Sequence, residues 1–588
     1  MSHSSHHVRL GVSVLALLLL LTGAPSGAHQ AQAAGDAAVQ ALAAGFTAAR
    51  AEAARARAAS AASITAQEAA AHRESDAARA FLPRLDAVDP ATLSHQAWAT
   101  LALMRFETTL TAEADRYFWY DFQVTPYSSP LRSIAARFAA MPVDTAEARL
   151  AYLDALADVP ATISAYEARL RGQRARGIVV PAPEIDLVVP FVRALVADPP
   201  SSAFAVPAAR LARLAPADRE TFAREVDEAI GSAVVPAIER LASFLDGPYR
   251  RDAPAGVGVA QYPGGAEYYR FLIRRHTGLD LEPEAIHQIG LKEVARLNGE
   301  LERVRVATGF AGTLPEFRTY LKTDPRFFPK TGDEIGEAMM AAIRRIEPKV
   351  GAFFTRMPKA PYGVLRLDPA LEASMTYGYY QLPTTDEPRG LYRFNGSNPE
   401  SRSLLMAAAT IYHELVPGHH FQLALRDENT ALTGFRKTAM YTTFTEGWAE
   451  YASDLAGEMG MYDDPYARAG RLAMDLFLSS RLVVDTGMNA LGWSRDRAIA
   501  YMRENTFESD LQLSTETLRY STDMPGQALA YKLGALRIHE IRDRLTREMG
   551  PAFDLPRFHA FLLDAGSLPL SVLDDYMTCF RQERHQGR

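Results

Sequence analysis

Three histidines, His413, His419 and His420, fall within eight consecutive residues of a 588-residue chain, in the run His413-Glu414-Leu415-Val416-Pro417-Gly418-His419-His420. Clustered imidazoles next to a carboxylate are metal-binding chemistry. In the zinc-peptidase motif HExxH, two histidines at i and i+4 share one helical face, and the intervening glutamate acts as general base toward water. Here Pro417 occupies i+4. The plain motif therefore fails, but Pro-Gly ends a regular helix and lets the chain turn the next histidine back toward His413. In an unbroken helix i+7 would return to within about 20° of the first residue and i+6 would point about 120° away, favouring His420. The break removes that argument, so geometry leaves His419 and His420 both open.

A third donor is available about 30 residues on, a spacing familiar in zinc peptidases that use glutamate, in Thr445-Glu446-Gly447-Trp448-Ala449-Glu450-Tyr451. Glu446 and Glu450 lie one helical turn apart on one face, Glu446 being the first choice and Glu450 the second. Thr445 can cap the turn, and Gly447 permits close approach of another helix. Trp448 reads as core packing. Two histidines and one glutamate leave a fourth metal position open, the arrangement of a hydrolytic rather than a purely structural site.

The elements that must position these residues are mostly helical. The charge balance is 63 − 70 = −7, which excludes a nucleic-acid binder working through bulk basic charge. The single cysteine, Cys579, excludes a disulfide framework and any multi-cysteine metal site, so a metal here must use histidine and carboxylate. Residues 34–80 are Ala-rich with Glu, Arg and Gln, all helix formers, and 91–245 show apolar residues at helical spacing broken by prolines such as Asp198-Pro199-Pro200. Pro283 to Val306 is an amphipathic helix on which His287 reads as a surface residue. Tyr362–Leu367, Thr376–Leu382 and Gly390–Phe394 read as three short strands. Helices follow from Ser401 to Val416, Thr438 to Gly457 and Gln527 to Met549. With no long linker, residues 34–588 form one unit: a helical half (34–246) and a half (247–588) holding the sheet (362–395) and the metal helices (401–457), with a narrow cleft between the halves.

Arg9, the apolar run Leu10–Leu21 and the pattern Ala31-Gln32-Ala33 read as a secretory signal peptide, residues 1–33. The run is shorter than the ~20 residues that span a membrane. Cleavage after Ala33, or alternatively Ala28, would leave an exported protein, periplasmic or secreted, with no membrane association and no cysteine near the cut to carry a lipid. Four of the 14 histidines go with the leader, so three of the remaining ten are in the eight-residue cluster.

Four ordered motifs make the chain resemble a bacterial family catalogued as domain of unknown function 885. They are Gly265-x-Glu267-x-Tyr269 with His276-Thr277, His413-Glu414-x-x-Pro417-Gly418-His419, Glu446-Gly447-Trp448-Ala449-x-Tyr451, and Arg519-Tyr520 followed by Pro525-Gly526-Gln527-Ala528 and Tyr531-Lys532-x-Gly534. The family groups with zincin-like metallopeptidases. The resemblance therefore implies a mainly helical zincin-like fold with a small β-sheet beside the active-site helix. It also implies zinc as cofactor, with His419 preferred over His420, and it supports Glu446 through a likeness to the Glu-Gly-Phe-Ala segment of an aminopeptidase family. Relatives often carry Glu where this chain has Ser453, so Asp454 or Glu450 must supply any carboxylate behind the metal ligands.

A peptidase of this kind needs a donor for the developing oxyanion, and Tyr531 is the leading candidate, with Tyr520 in the same motif. Arg519, Lys532 and Arg537 are candidates for holding a peptide carboxylate, or else form ion pairs with Glu516 or Glu540. Gly390–Phe394 is a candidate to pair with an extended peptide as an added strand, or else completes the sheet. The expectation is a zinc peptidase acting on peptides, in which His413, His419 and Glu446 bind the metal and Glu414 is the base. The rivals are a metal-dependent hydrolase of esters or non-peptide amides, and an inactive zinc-containing peptide-binding protein. Cobalt or manganese in place of zinc, and the oligomeric state, stay open.

Overall fold

The Ala-rich amino-terminal sequence, poor in β-branched residues, forms long helices. In the computed structural model, which describes residues 27–197, 202–372, 378–432 and 434–585, these are α1 (Gly27–Ala59), α2 (Ile64–Asp86) and α3 (His95–Ala114), packed on one another. Ser63 and Ser94 start the second and third by accepting a hydrogen bond from the backbone N–H three residues on, the expected N-cap interaction. Most of the expected signal peptide and the Asp198-Pro199-Pro200 break lie outside the described residues; α1 runs through the expected cleavage point at Ala33.

The helix α4 (Ala146–Arg174) continues the amino-terminal layer, and α5 (Gly265–Thr277) joins it to the remainder. The central framework consists of α6 (Pro283–Ala307), α7 (Gly332–Val350), α8 (Ala407–Glu414), α9 (His419–Glu428), α10 (Thr442–Glu458), α11 (Pro465–Asn489) and α12 (Leu529–Met549). In it, α6 packs along α11, α10 crosses α12, and α8 is enclosed by α7, α10 and α11. The main apolar core is continuous from Val39 to Phe580. No helix among the described residues is long and apolar enough to cross a membrane.

A three-stranded sheet interrupts the helices: β1 (Tyr362–Arg366), β2 (Gly378–Gln381) and β3 (Gly390–Phe394), in the order β1-β3-β2. Residues 376 and 377 of the expected second strand are outside the described set. β3 is central, parallel to β1 and antiparallel to β2, with Tyr392 opposite both Val364 and Tyr380. This corrects one expectation: β3 has partners on both edges and no free backbone row for an added peptide strand, so it completes the sheet.

His287 is a second correction. It is 5% exposed, its Nδ1 lies 2.9 Å from Thr486 Oγ1, and its ring meets Trp493 edge-on. The long α6–α11 contact covers the face on which it sits. The helix expected from Ser401 begins only at Ala407, with Pro399–Ser401 forming a separate turn.

Candidate metal centre

The last residues of α8 carry His413 and Glu414, and Leu415 leaves helical geometry. Two residues further, Pro417-Gly418 returns the chain so that α9 opens on His419. Gly418 is required there by space: a Cβ on it would fall 1.7 Å from the His413 carbonyl oxygen. Trp448, fully buried, fastens this return by donating from Nε1 to the carbonyls of Pro417 (3.0 Å) and Gly418 (3.2 Å). Its role is thus both core packing and support of the break between the two histidines.

The partner helix α10 brings Glu446 to the same point because α10 and α12 cross almost backbone to backbone. A Cβ on Gly447 would lie 2.5 Å from Gly534 Cα, and one on Gly534 would lie 2.2 Å from the Thr443 carbonyl. Glu446 Oε2 is 3.3 Å from His413 Nε2 and 3.3 Å from His419 Nε2. His413, His419 and Glu446 offer three donor atoms all within 4.8 Å of one another, a group able to hold a metal ion. His413 is buried and the Glu446 side chain is 20% exposed, so the cluster is reachable from one side.

His420 is not part of the cluster. Its Nδ1 is 2.9 Å from the Tyr380 hydroxyl and its Nε2 3.0 Å from the Ala360 carbonyl, so both ring nitrogens are engaged against the sheet, and burial lowers its pKa to about 4. Glu450 stands one turn beyond Glu446, behind His413 and against Arg471. Ser453 donates to the Ala409 carbonyl at 2.9 Å, and Asp454 faces His539 at 3.3 Å, which leaves Glu450 as the carboxylate behind the cluster.

The charges are strongly coupled. Burial opposes the His413 cation, but the Glu446 and Glu450 carboxylates facing its two ring nitrogens outweigh it and push the pKa up to about 10. Burial likewise opposes the Glu446 anion, yet the two imidazoles hold its carboxyl far below the usual range. Burial raises the Glu414 pKa, which makes this carboxylate a stronger base.

Tyr531, on α12, lies within electrostatic reach of Glu446 and hydrogen-bonds with Gln527; burial raises its pKa. The Arg481 guanidinium sits 4.9 Å over its ring, and also donates to the buried Tyr520 hydroxyl. Arg519 donates to Gln527 at 2.8 Å. Lys532 is buried between Asp475 (2.6 Å) and Glu293 (3.2 Å), and Arg537 is shared by Glu540 and Asp574 at 3.4 Å each.

Two supporting residues escaped the sequence reading. Arg471 pairs with Glu450, and Asp485 ties two of the four motifs together: it accepts from Tyr269 (2.6 Å) and from the Gly526 N–H (3.1 and 3.0 Å), and also from Asn489 (3.1 Å) on its own helix. Their signal is visible in retrospect: Arg471, Asp475, Arg481 and Asp485 are charges spread around an otherwise apolar helix, and all four are buried.

Fold and site define a large, mainly helical protein with a small three-stranded sheet and a cluster of two histidines and one glutamate at its centre. The chain belongs to the family described as bacterial protein of unknown function (DUF885), which matches residues 39–577. It is similar to the crystal structure of a candidate lipoprotein from Colwellia psychrerythraea, with a TM-score of 0.80 and 24% identity over 93% of this chain and 99% of that one. A candidate lipoprotein of unknown function from Shewanella oneidensis gives a TM-score of 0.67 and 16% identity over 87% of this chain and 92% of its own. These likenesses extend to the fold. No protein of curated function matches the chain.

Proposed function

We propose that the protein is an exported zinc-dependent peptidase that hydrolyses short peptides. The observation that carries this reading is the convergence of His413, His419 and Glu446. A tetrahedral zinc with ligand bonds of about 2.1 Å separates neighbouring donors by about 3.4 Å, and the two imidazole nitrogens stand 3.3 Å from the Glu446 oxygen. The donor set of two neutral nitrogens and one carboxylate suits zinc, and the partly buried Glu414 next to it has no arginine or lysine partner among the described residues.

Zinc held by these three residues supplies a Lewis acid that polarises a carbonyl and makes water acidic near neutral pH. Glu414 takes a proton from the attacking water and passes it to the departing amine, its raised pKa suiting both transfers. Tyr531 donates a hydrogen bond to the carbonyl oxygen as negative charge grows there, and Arg481 holds its ring in place. Arg9, Leu10–Leu21 and Ala31-Gln32-Ala33 support export, in keeping with the two structural neighbours described as candidate lipoproteins.

The test is metal content by mass spectrometry of the purified chain, together with turnover of a peptide panel. About one zinc per chain is expected, lost in His413→Ala and Glu446→Ala. Glu414→Gln is expected to keep the metal and lose about 10²- to 10⁴-fold in turnover. A chain that takes up no transition metal when supplied with zinc, or a fully active Glu414→Gln, overturns the reading.

A further inference from the structure

A cavity of about 520 Å3 opens between the amino-terminal helices α2 and α3 on one side and α5 with the start of α10 on the other. That volume is in the range of small-molecule and peptide sites. One of its walls is Thr442, which precedes Glu446 by one turn on the same face of α10, a rise of about 6 Å. Another wall is His276, next to Gly526, the loop that leads into the helix of Tyr531. The cavity wall and Glu446 are therefore one turn apart on α10, with no residue of the His413–His419–Glu446 cluster in the lining.

Its charges do not cancel. Three carboxylates line it, and each has an arginine: Glu74 faces Arg57, Glu107 faces Arg50, and Asp115 faces Arg79 at 2.6 Å. Arg275 also lines it, is exposed, and has no carboxylate partner among the described residues. Those three arginines stand behind the acids and outside the lining, so Arg275 is the one guanidinium that faces the cavity. Part of the remaining wall is apolar, from Phe106, Leu110, Phe118, Phe271 and Met440, the last 54% exposed. The cations suggested by sequence for a peptide carboxylate are otherwise engaged, Lys532 and Arg537 by acids and Arg519 by Gln527.

We infer that this cavity receives the carboxyl-terminal end of a short peptide, with Arg275 binding its free α-carboxylate and the apolar wall taking its last side chain. The inference rests on the peptidase reading above and makes the enzyme a carboxyl-end exopeptidase. Hydrolysis then breaks one C–N bond, the water hydroxyl going to the acyl carbon and its proton through Glu414 to the amine of the fragment that Arg275 holds.

The experiment compares matched tetrapeptides of alanine and phenylalanine, as free acids and as carboxamides. Dissociation constants are measured on zinc-loaded Glu414→Gln chain, which binds without turnover, with and without Arg275→Ala; kcat/KM is measured on the parent. Free acids are expected to bind about ten- to a hundredfold more tightly than amides, the value of a charge-assisted hydrogen bond. Arg275→Ala should remove that gap and Arg275→Lys restore part of it, with unchanged thermal midpoints because the side chain is exposed. Equal binding of acid and amide, or a gap that survives Arg275→Ala, overturns the inference. Hydrolysis without terminal preference overturns only the role of the cavity. Carboxylate-dependent binding with no hydrolysis by the parent supports the pocket and overturns the peptidase reading.

Discussion

Oε2 of Glu450 lies 3.5 Å from Nδ1 of His413, on the side of the imidazole away from Glu446. The other oxygen of the same carboxylate meets Arg471 Nη1 at 2.8 Å, and both partners are almost fully buried. In the proposed zinc site, with Nε2 of His413 on the metal, this carboxylate facing Nδ1 would orient the ring and raise its basicity. Glu450→Gln should therefore weaken zinc binding about 10- to 100-fold in competition with a chelator. It should also cost about 3–5 kcal/mol in a denaturant titration, because Arg471 is left buried without its closest counter-charge. Unchanged zinc affinity would remove Glu450 from the metal site.

The two adjacent histidines should respond differently. His419→Ala is expected to abolish zinc retention, whereas His420→Ala keeps about one zinc per chain and loses only stability, because both of its nitrogens bind Tyr380 and Ala360. Metal analysis of the two variants separates them directly.

Trp448→Phe keeps most of the buried ring volume but removes the donor that bridges the Pro417 and Gly418 carbonyls. The expected cost is about 1–3 kcal/mol, since two buried carbonyls lose a partner. Zinc affinity should fall with it, as the return that orients His419 loosens; a melt combined with a zinc titration reads both.

Asp485 provides a pH signature. Burial raises its carboxyl to about 7 despite the donors around it. The folded chain then holds a proton that the unfolded chain, near pKa 3.9, has released. The associated stability is complete below about pH 4 and is lost as pH rises toward 7, on the order of a few kcal/mol. Urea midpoints from pH 4 to 8 should decline less steeply in Asp485→Asn than in the parent. Parallel curves would show that the carboxyl titrates normally.

What sequence revealed of this protein was local, and what it hid was tertiary. The three strands are found where Tyr, Val and Leu alternate with turn residues, and the helix breaks fall at proline and glycine. His413 with a second histidine after the helix break was legible from residue type and spacing, but the choice of His419 over His420 came only from the family resemblance, and Glu446 from a separate motif about 30 residues on. Strand order was not, since β3 becomes central only by pairing with β1 across a connection that also contains β2. Nor was the burial of His287, which depends on α11 some 200 residues away covering its face. Arg275 carries no signal in the sequence, because its lack of a counter-charge emerges only when α2, α3 and the residue after α3 deliver acids already matched to arginines.

The crossing of α10 and α12 at Gly447 and Gly534 leaves no thickness of side chain between the two backbones. The helix that carries Glu446 and the one that carries Tyr531 therefore move as a single stiff beam, with little play to slide or rotate against each other. The separation of Glu446 from Tyr531 is in this way set by main chain against main chain, and no side-chain substitution elsewhere on the two helices can widen it without parting the backbones.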